Sequence, residues 1–303
     1  MKIPMPVKWK AKLHDVFDIY LERYPRYLKA KYGDILPRES LAIITIDSLR
    51  YDVAVSADTP NIKSMFSACG VKGWQKVGAH GTYTLPSHIS MFHAGIMPCD
   101  NREEVPGPYN REKERIFKAQ LAWERTTGAK FPTPAAPNIV KGFGKMGYRT
   151  VGVGGVNWFN NRFITSDFWG KHYFSEFYWD EGFSETDPAS FMNQIYKIKS
   201  LGLKDRQRPL FFFLNIASTH TPYMGFGRSA EGQRKALEYV DRHIPLLFED
   251  LPDSFVLMLL SDHGECFGED GLWGHGFYHP RIMEVPFAFA RVTRDMIEFA
   301  RKD

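Results

Sequence analysis

Three short runs in this 303-residue chain are almost wholly apolar: 41–46 (Leu-Ala-Ile-Ile-Thr-Ile), 208–217 (Arg-Pro-Leu-Phe-Phe-Phe-Leu-Asn-Ile-Ala) and 255–260 (Phe-Val-Leu-Met-Leu-Leu). A short apolar run without polar alternation reads as a strand covered on both faces. Such strands belong to parallel sheets with helices packed on either side. Periodic helix-like stretches fall between them, including 231–247 just before the third run. Further strands are expected at 147–154 and at 285–291, the latter at a sheet edge. The expected fold class is therefore α/β: a doubly wound, mostly parallel sheet with helices on both faces.

In open sheets of this kind ligands bind outside the carboxyl ends of the strands. The first run ends at Asp47, and the third is followed by Ser261-Asp262-His263-Gly264. Neighbouring side chains on a strand point to opposite faces, so adjacent Asp and His converge on one ion only where the strand has ended. Gly264 allows a turn there. Taken singly, Asp47 could cap the next helix and Asp262 could sit in a surface turn. Together, two carboxylates and an imidazole are most of a divalent-metal shell, and hard oxygen beside imidazole nitrogen suits Mn²⁺, Zn²⁺ or Mg²⁺.

Between these strand ends lies Gly81-Thr-Tyr-Thr84-Leu-Pro86-Ser-His88, ahead of a helix-like run over 89–94. Helix capping explains one hydroxyl, yet Thr82, Thr84 and Ser87 are all present. A hydroxyl at a helix N-terminus meets backbone N–H groups and the positive end of the dipole. A nearby divalent ion would lower its pKa further, which makes a hydroxyl of this segment a nucleophile candidate, with Thr82, Thr84 and Ser87 all open. His88, a turn from Thr84, is placed to contact an oxygen of a transferred group.

The order Asp47-Ser-Leu-Arg50-Tyr-Asp52, Thr59-Pro60-Asn61-Ile62, Thr84-Leu-Pro86-Ser87-His88, His220-Thr-Pro222-Tyr223 and Ser261-Asp262-His263-Gly264 resembles the sulfatase-like branch of the alkaline phosphatase superfamily. The resemblance covers residues 41–290 and implies an alkaline-phosphatase-like core without the large C-terminal domain. It implies Asp47, Thr84, Asp262 and His263 as ligands of one divalent ion (Mn, Zn, Mg or Ca), with Thr84 at the nucleophile position. His88 stands where the family pattern has arginine, and His220 where it has a substrate-contacting histidine. His275, thirteen residues after Asp262, stands where many sulfatases have lysine. Threonine cannot become the formylglycine of true sulfatases; it resembles the phosphoethanolamine and phosphoglycerol transferases and nucleotide phosphodiesterases, which form a phospho-threonine. Two-metal members carry an Asp four residues before the histidine, where this chain has Ile216. His220, His275 and His279 remain candidates for a second ion.

Length and composition fit one large α/β domain, or one domain with a helical attachment. The resemblance implies a catalytic domain over 41–303, and over 1–40 Trp9, Leu13, Val16, Phe17, Tyr20 and Leu21 recur at helical spacing, an N-terminal helical extension. The charged, proline-punctuated stretch 101–138 reads as an insertion or lid. A net charge of +4 suits a small anionic substrate and is too weak to argue nucleic-acid binding. No run approaches the roughly 20 apolar residues of a membrane span, and no signal peptide is evident. Cys69, Cys99 and Cys266 show neither zinc spacing nor an even count, which points to a cytoplasmic home. The substrate pocket leaves room for a contribution from a protein partner or a second copy of the chain. The expected function is metal-dependent hydrolysis or transfer of a phosphoester or phosphodiester through Thr84, with His88, His220 and His275 assisting. The alternatives are a non-catalytic metal- or anion-binding regulatory protein of the same fold and, third, a sulfatase.

Overall fold

A computed structural model describes residues 39–93, 138–160, 168–204 and 208–300. The expected N-terminal helix and nearly all of the expected insertion lie outside the described residues. Seven strands form one sheet: β1 (Ser40–Ile46), β2 (Gln75–Gly78), β3 (Arg149–Val153), β4 (Glu176–Tyr178), β5 (Leu210–Ile216), β6 (Ser254–Leu260) and β9 (Glu284–Thr293). Their order is β2-β9-β6-β1-β5-β3-β4. From β6 to β4 every pairing is parallel, while β9 runs antiparallel to both β6 and β2. Two short strands, β7 (Cys266–Phe267) and β8 (Trp273–Gly274), make a separate hairpin.

The three apolar runs are the three central strands. In the register Ile44 lies opposite Leu214 on one side and Leu259 on the other. Alternate residues feed two cores. Ala42, Ile44 and Ile46 pack with Phe212, Leu214 and Ile216 beneath α1 (Tyr51–Ser56), α2 (Pro60–Ala68), α6 (Ser190–Ser200), α7 (Ala230–Glu249) and α9 (Arg294–Ala300). Ile43, Phe211 and Phe213 pack on the opposite face with α3 (Thr84–Phe92), α4 (Ile139–Lys145) and α5 (Phe168–His172). Helices therefore cover both faces, the doubly wound arrangement that the apolar strands require. Full burial of each such side chain stabilises the fold by about 1.5–3 kcal/mol before conformational entropy is counted. α7 shows how sequence spacing achieves this: Leu237, Val240, Ile244 and Leu247 form its buried stripe, and Ser229 accepts the Gly232 N–H at its start.

One expectation is corrected. The 285–291 strand is not an edge strand: β9 is flanked on both sides, and the edge is β2, a short polar strand that carries no apolar signal.

Candidate active site

β1 and β6 are neighbours, so the residues that follow them emerge side by side at their carboxyl ends. Asp47 follows β1, and its backbone N–H still pairs with Ile216. The chain then turns at Ser48, a non-glycine residue at φ 59°. Three groups of Ser48 serve that turn: its N–H donates to Asp262 Oδ1 at 3.1 Å, its hydroxyl to Asp47 Oδ1 at 3.0 Å, and its carbonyl accepts Gln233 Nε2 at 2.8 Å. Asn215 on β5 donates to Asp47 Oδ2 at 2.9 Å and to Thr45 Oγ1 at 3.1 Å. After β6, Gly264 is required by contact rather than by a left-handed turn. A Cβ there would meet the Arg281 carbonyl oxygen at 2.0 Å, and its N–H pairs with Ile282 at 2.7 Å.

Thr84 opens α3, where backbone N–H groups lack helical partners. Its Oγ1 lies 3.4 Å from Asp47 Oδ2 and 3.4 Å from His263 Nε2. His263 Nε2 is 3.5 Å from Asp262 Oδ2 and 3.8 Å from Asp47 Oδ1. The structure thus brings Asp47, Thr84, Asp262 and His263 together, and all four are buried.

The tautomer of each clustered histidine follows from its partner. His263 Nδ1 donates to the Gly264 carbonyl at 2.9 Å, and His220 Nδ1 to the Thr221 carbonyl at 2.9 Å. His275 Nδ1 donates to Glu265 Oε2 at 2.9 Å. Each acceptor fixes the proton on Nδ1 and leaves Nε2 as the ligand or substrate-facing nitrogen. The His275 ring is 4.4 Å from that of His263 and 5.2 Å from that of His220, centre to centre. Burial, with some help from the His275 charge, pushes His263 down to about 3. Burial also raises Asp262 to about 6, against the lowering effect of the Ser48 N–H. Burial pulls His275 down too, but its hydrogen bond and charge contact with Glu265, together with Asp47 and Asp262, leave it above the ordinary histidine value.

Two sequence expectations change. His88 is fully buried rather than open to a cleft, with its Nδ1 3.7 Å from Asp262 Oδ2. Its Nδ1 donates to the Thr84 carbonyl at 2.7 Å, its Nε2 lies 3.1 Å from Thr45 Oγ1, and Phe92, Phe159 and Phe213 surround the ring. Burial pushes it down to about 4, and its bonds brace the first turn of α3 beside Asp262. His279 is turned to Asp270 at 3.2 Å through Nε2 and accepts the Arg281 N–H on Nδ1 as the cap of α8 (Pro280–Met283). Its nitrogens are thus engaged away from His220 and His275. Sequence reasoning missed Ser48, Asn215, Gln233 and Glu265. Asn215 had a signal, as the one amide inside the apolar 208–217 run.

The residues fit a divalent cation. Asp47, Asp262 and His263 each offer a ligand atom within 4.8 Å of the others. Asp262 Oδ2 is buried and accepts no hydrogen bond, a costly state that a bound cation relieves.

Solved structures share this fold. The soluble domain of lipooligosaccharide phosphoethanolamine transferase A from Neisseria meningitidis is 13% identical, with TM-score 0.52 over 84% of this chain and 76% of that one. The C-terminal periplasmic domain of EcEptC from Escherichia coli, in complex with Zn, is 13% identical, with TM-score 0.54 over 87% and 75%. A putative sulfatase from Bacteroides thetaiotaomicron is 12% identical, with TM-score 0.57 over 84% and 64%. At these identities the likeness shows the fold. No curated protein sequence gives a significant match. The sulfatase family model matches residues 43–287, most of the chain and every strand-end segment that builds the cluster, and the chain belongs to the sulfatase family within the alkaline phosphatase superfamily.

Proposed function

We propose that this chain is a metal-dependent phosphoester or phosphodiester hydrolase or transferase that works through a covalent phospho-threonine at Thr84. The observation that carries this reading is the Thr84 hydroxyl at the start of α3, 3.4 Å from both Asp47 and His263. Asp47, Asp262, His263 and Thr84 Oγ1 would hold one divalent ion, and the Zn complex of the Escherichia coli neighbour supports zinc among Mn, Zn, Mg and Ca. Bound there, such an ion lowers the pKa of a hydroxyl and offsets charge on a transferred group.

Thr84 gives up its hydroxyl proton to water, Oγ1 attacks phosphorus, and the new O–P bond forms as the bond to the leaving alcohol breaks. The leaving oxygen takes a proton, for which His275, its charged form favoured by Glu265, is the placed donor, while His220 Nε2 can accept one from the attacking water or alcohol. Attack by water on the phospho-threonine gives hydrolysis; attack by an alcohol gives transfer. The substrate is a small anionic ester, in keeping with an anionic group seated at the N-terminus of α3. A hydroxyl nucleophile that cannot become an aldehyde hydrate favours phosphoryl over sulfuryl transfer.

The test is turnover of a generic phosphodiester with added Zn²⁺ or Mn²⁺, with chelator, and with Thr84→Ala. Metal-dependent turnover that Thr84→Ala abolishes, with a phosphorylated Thr84 peptide in acid-quenched parent enzyme, supports the reading. Full activity in Thr84→Ala refutes it.

A further inference from the structure

The segment that delivers His275 is weakly built. β7 and β8 pair only Cys266 with Gly274 and Phe267 with Trp273. The turn between them has left-handed backbone at Gly268 (φ 108°), Asp270 (φ 51°) and Gly271 (φ 74°). A hairpin this small does not hold its shape in water unaided.

Arg50 reaches into it from the loop after β1, with its side chain only 4% exposed. Nε and Nη2 donate to the two carboxylate oxygens of Asp52 at 2.8 and 2.6 Å, and Nη1 donates to Glu269 Oε1 at 2.5 Å. Glu269 Oε2 in turn accepts the Phe267 N–H at 2.6 Å, and the guanidinium lies 5.1 Å from the Phe267 ring centre. One side chain thus grips the β7 strand and the turn together. This uses the planar fork of arginine, which lysine lacks. The base of the grip is fixed as well. Arg50 N–H donates to Gln233 Oε1, and Gln233 Nε2 donates to the carbonyls of Ser48 and Thr219. The loops that carry Asp47 and His220 are therefore tied to the same arginine.

We propose that Arg50 is a positioning residue: through Glu269 and Phe267 it clamps the β7–β8 hairpin and so sets where His275 stands beside the Asp47, Thr84, Asp262 and His263 cluster. The catalytic part of this inference rests on the Thr84 reading; the structural part does not. Displacement of a substrate-facing group by about 1 Å is enough to lower a rate by about a hundredfold.

Arg50→Gln and Glu269→Gln are compared with the parent full chain. The His275 Nδ1 proton, held by Glu265, is read as a slowly exchanging downfield NMR signal, assigned by its loss in His275→Gln. Arg50→Gln is expected to broaden or remove that signal and to speed amide exchange over 266–275. Zn²⁺ stoichiometry stays unchanged, because none of the four proposed ligands is altered. In a parent chain that turns over a phosphodiester, kcat falls about ten- to a hundredfold with little change in KM. In a His275→Ala background Arg50→Gln then adds nothing. Glu269→Gln removes one arm and gives smaller changes in the same direction, so it carries the test where Arg50→Gln fails to fold. An unchanged His275 signal with unchanged exchange overturns the proposal, as does a kcat loss fully additive with His275→Ala. A parent chain without turnover counts against the Thr84 reading alone, and the NMR and exchange results still decide the role of Arg50.

Discussion

Thr84 Oγ1 and His263 Nε2 stand 3.4 Å apart although 179 residues separate them in sequence. Each is delivered by a different element, one by the first turn of α3 and the other by the turn after β6. Neither element has a local reason to place a polar group in a buried site. Their convergence with Asp47 and Asp262 is what a nucleophile held beside a cation requires.

Thr84→Ala should lower turnover by about a thousandfold or more while leaving the fold intact, since only one hydroxyl and one methyl group are lost. Steady-state rates paired with thermal melts check this. Thr84→Ser keeps the hydroxyl and should retain much of the activity; a Ser variant as inactive as Ala would argue against nucleophilic attack from this position.

Asp262→Asn separates metal binding from folding. Burial raises the Asp262 carboxyl to about 6, so in the metal-free protein at pH 8 it is held ionised at a cost. A group whose folded value lies above its unfolded value loses its stabilising contribution as pH rises through the folded value. The amide removes that cost and keeps an oxygen for the Ser48 N–H. Metal-free Asp262→Asn should therefore melt at or above the metal-free parent at pH 8, yet gain much less from added Zn²⁺. Calorimetric melts with and without metal check both halves.

Acid should destabilise the metal-free protein. His263 near 3 and His88 near 4 both lie below the 6.5 of an unperturbed histidine. As pH falls below 6.5 the unfolded chain takes protons at both positions that the folded chain refuses, and stability drops down to about pH 4. Asp262 works the other way between its folded value of about 6 and its ordinary 3.8, and offsets part of the loss. Melting temperature against pH in chelator should fall steadily below pH 6.5; a flat profile to pH 4 would contradict the buried, neutral state of the two histidines.

His88→Asn tests whether that histidine serves packing. Asparagine can still donate to the Thr84 carbonyl but abandons Thr45 and the ring contacts with Phe92, Phe159 and Phe213. The expected loss is about 2–4 kcal/mol of stability. Turnover per folded molecule should fall less than in His275→Ala, because His88 borders the cluster only at Asp262 Oδ2, 3.7 Å from its Nδ1. Denaturant melts and kcat on the same preparations decide between packing and substrate contact.

The central sheet was legible because continuous apolar runs have one economical home, a strand covered on both faces. The convergence of Asp47, Asp262 and His263 was legible because they stand where those runs stop. What escaped was everything set by tertiary approach. His88 sits one helical turn from Thr84, and spacing alone cannot tell whether such a ring faces a cleft or the aromatic layer under α3. Gly264 looked like turn chemistry but is a close backbone approach to Arg281. β2 is too short and polar to announce itself, and the strands of the β7–β8 hairpin are only two residues each. The cytoplasmic expectation rested on cysteine usage, on which the fold has no bearing; the Escherichia coli domain of this fold is periplasmic. Among the described residues no helix is long and apolar enough to cross a membrane.

The account stands most directly on where a cation sits. Crystals grown with Zn²⁺ and measured at its absorption edge should show an anomalous peak at roughly 2.0–2.2 Å from oxygens of Asp47 and Asp262 and from His263 Nε2, beside Thr84 Oγ1. A fully occupied peak elsewhere with this pocket empty, or no peak at saturating metal, would contradict it.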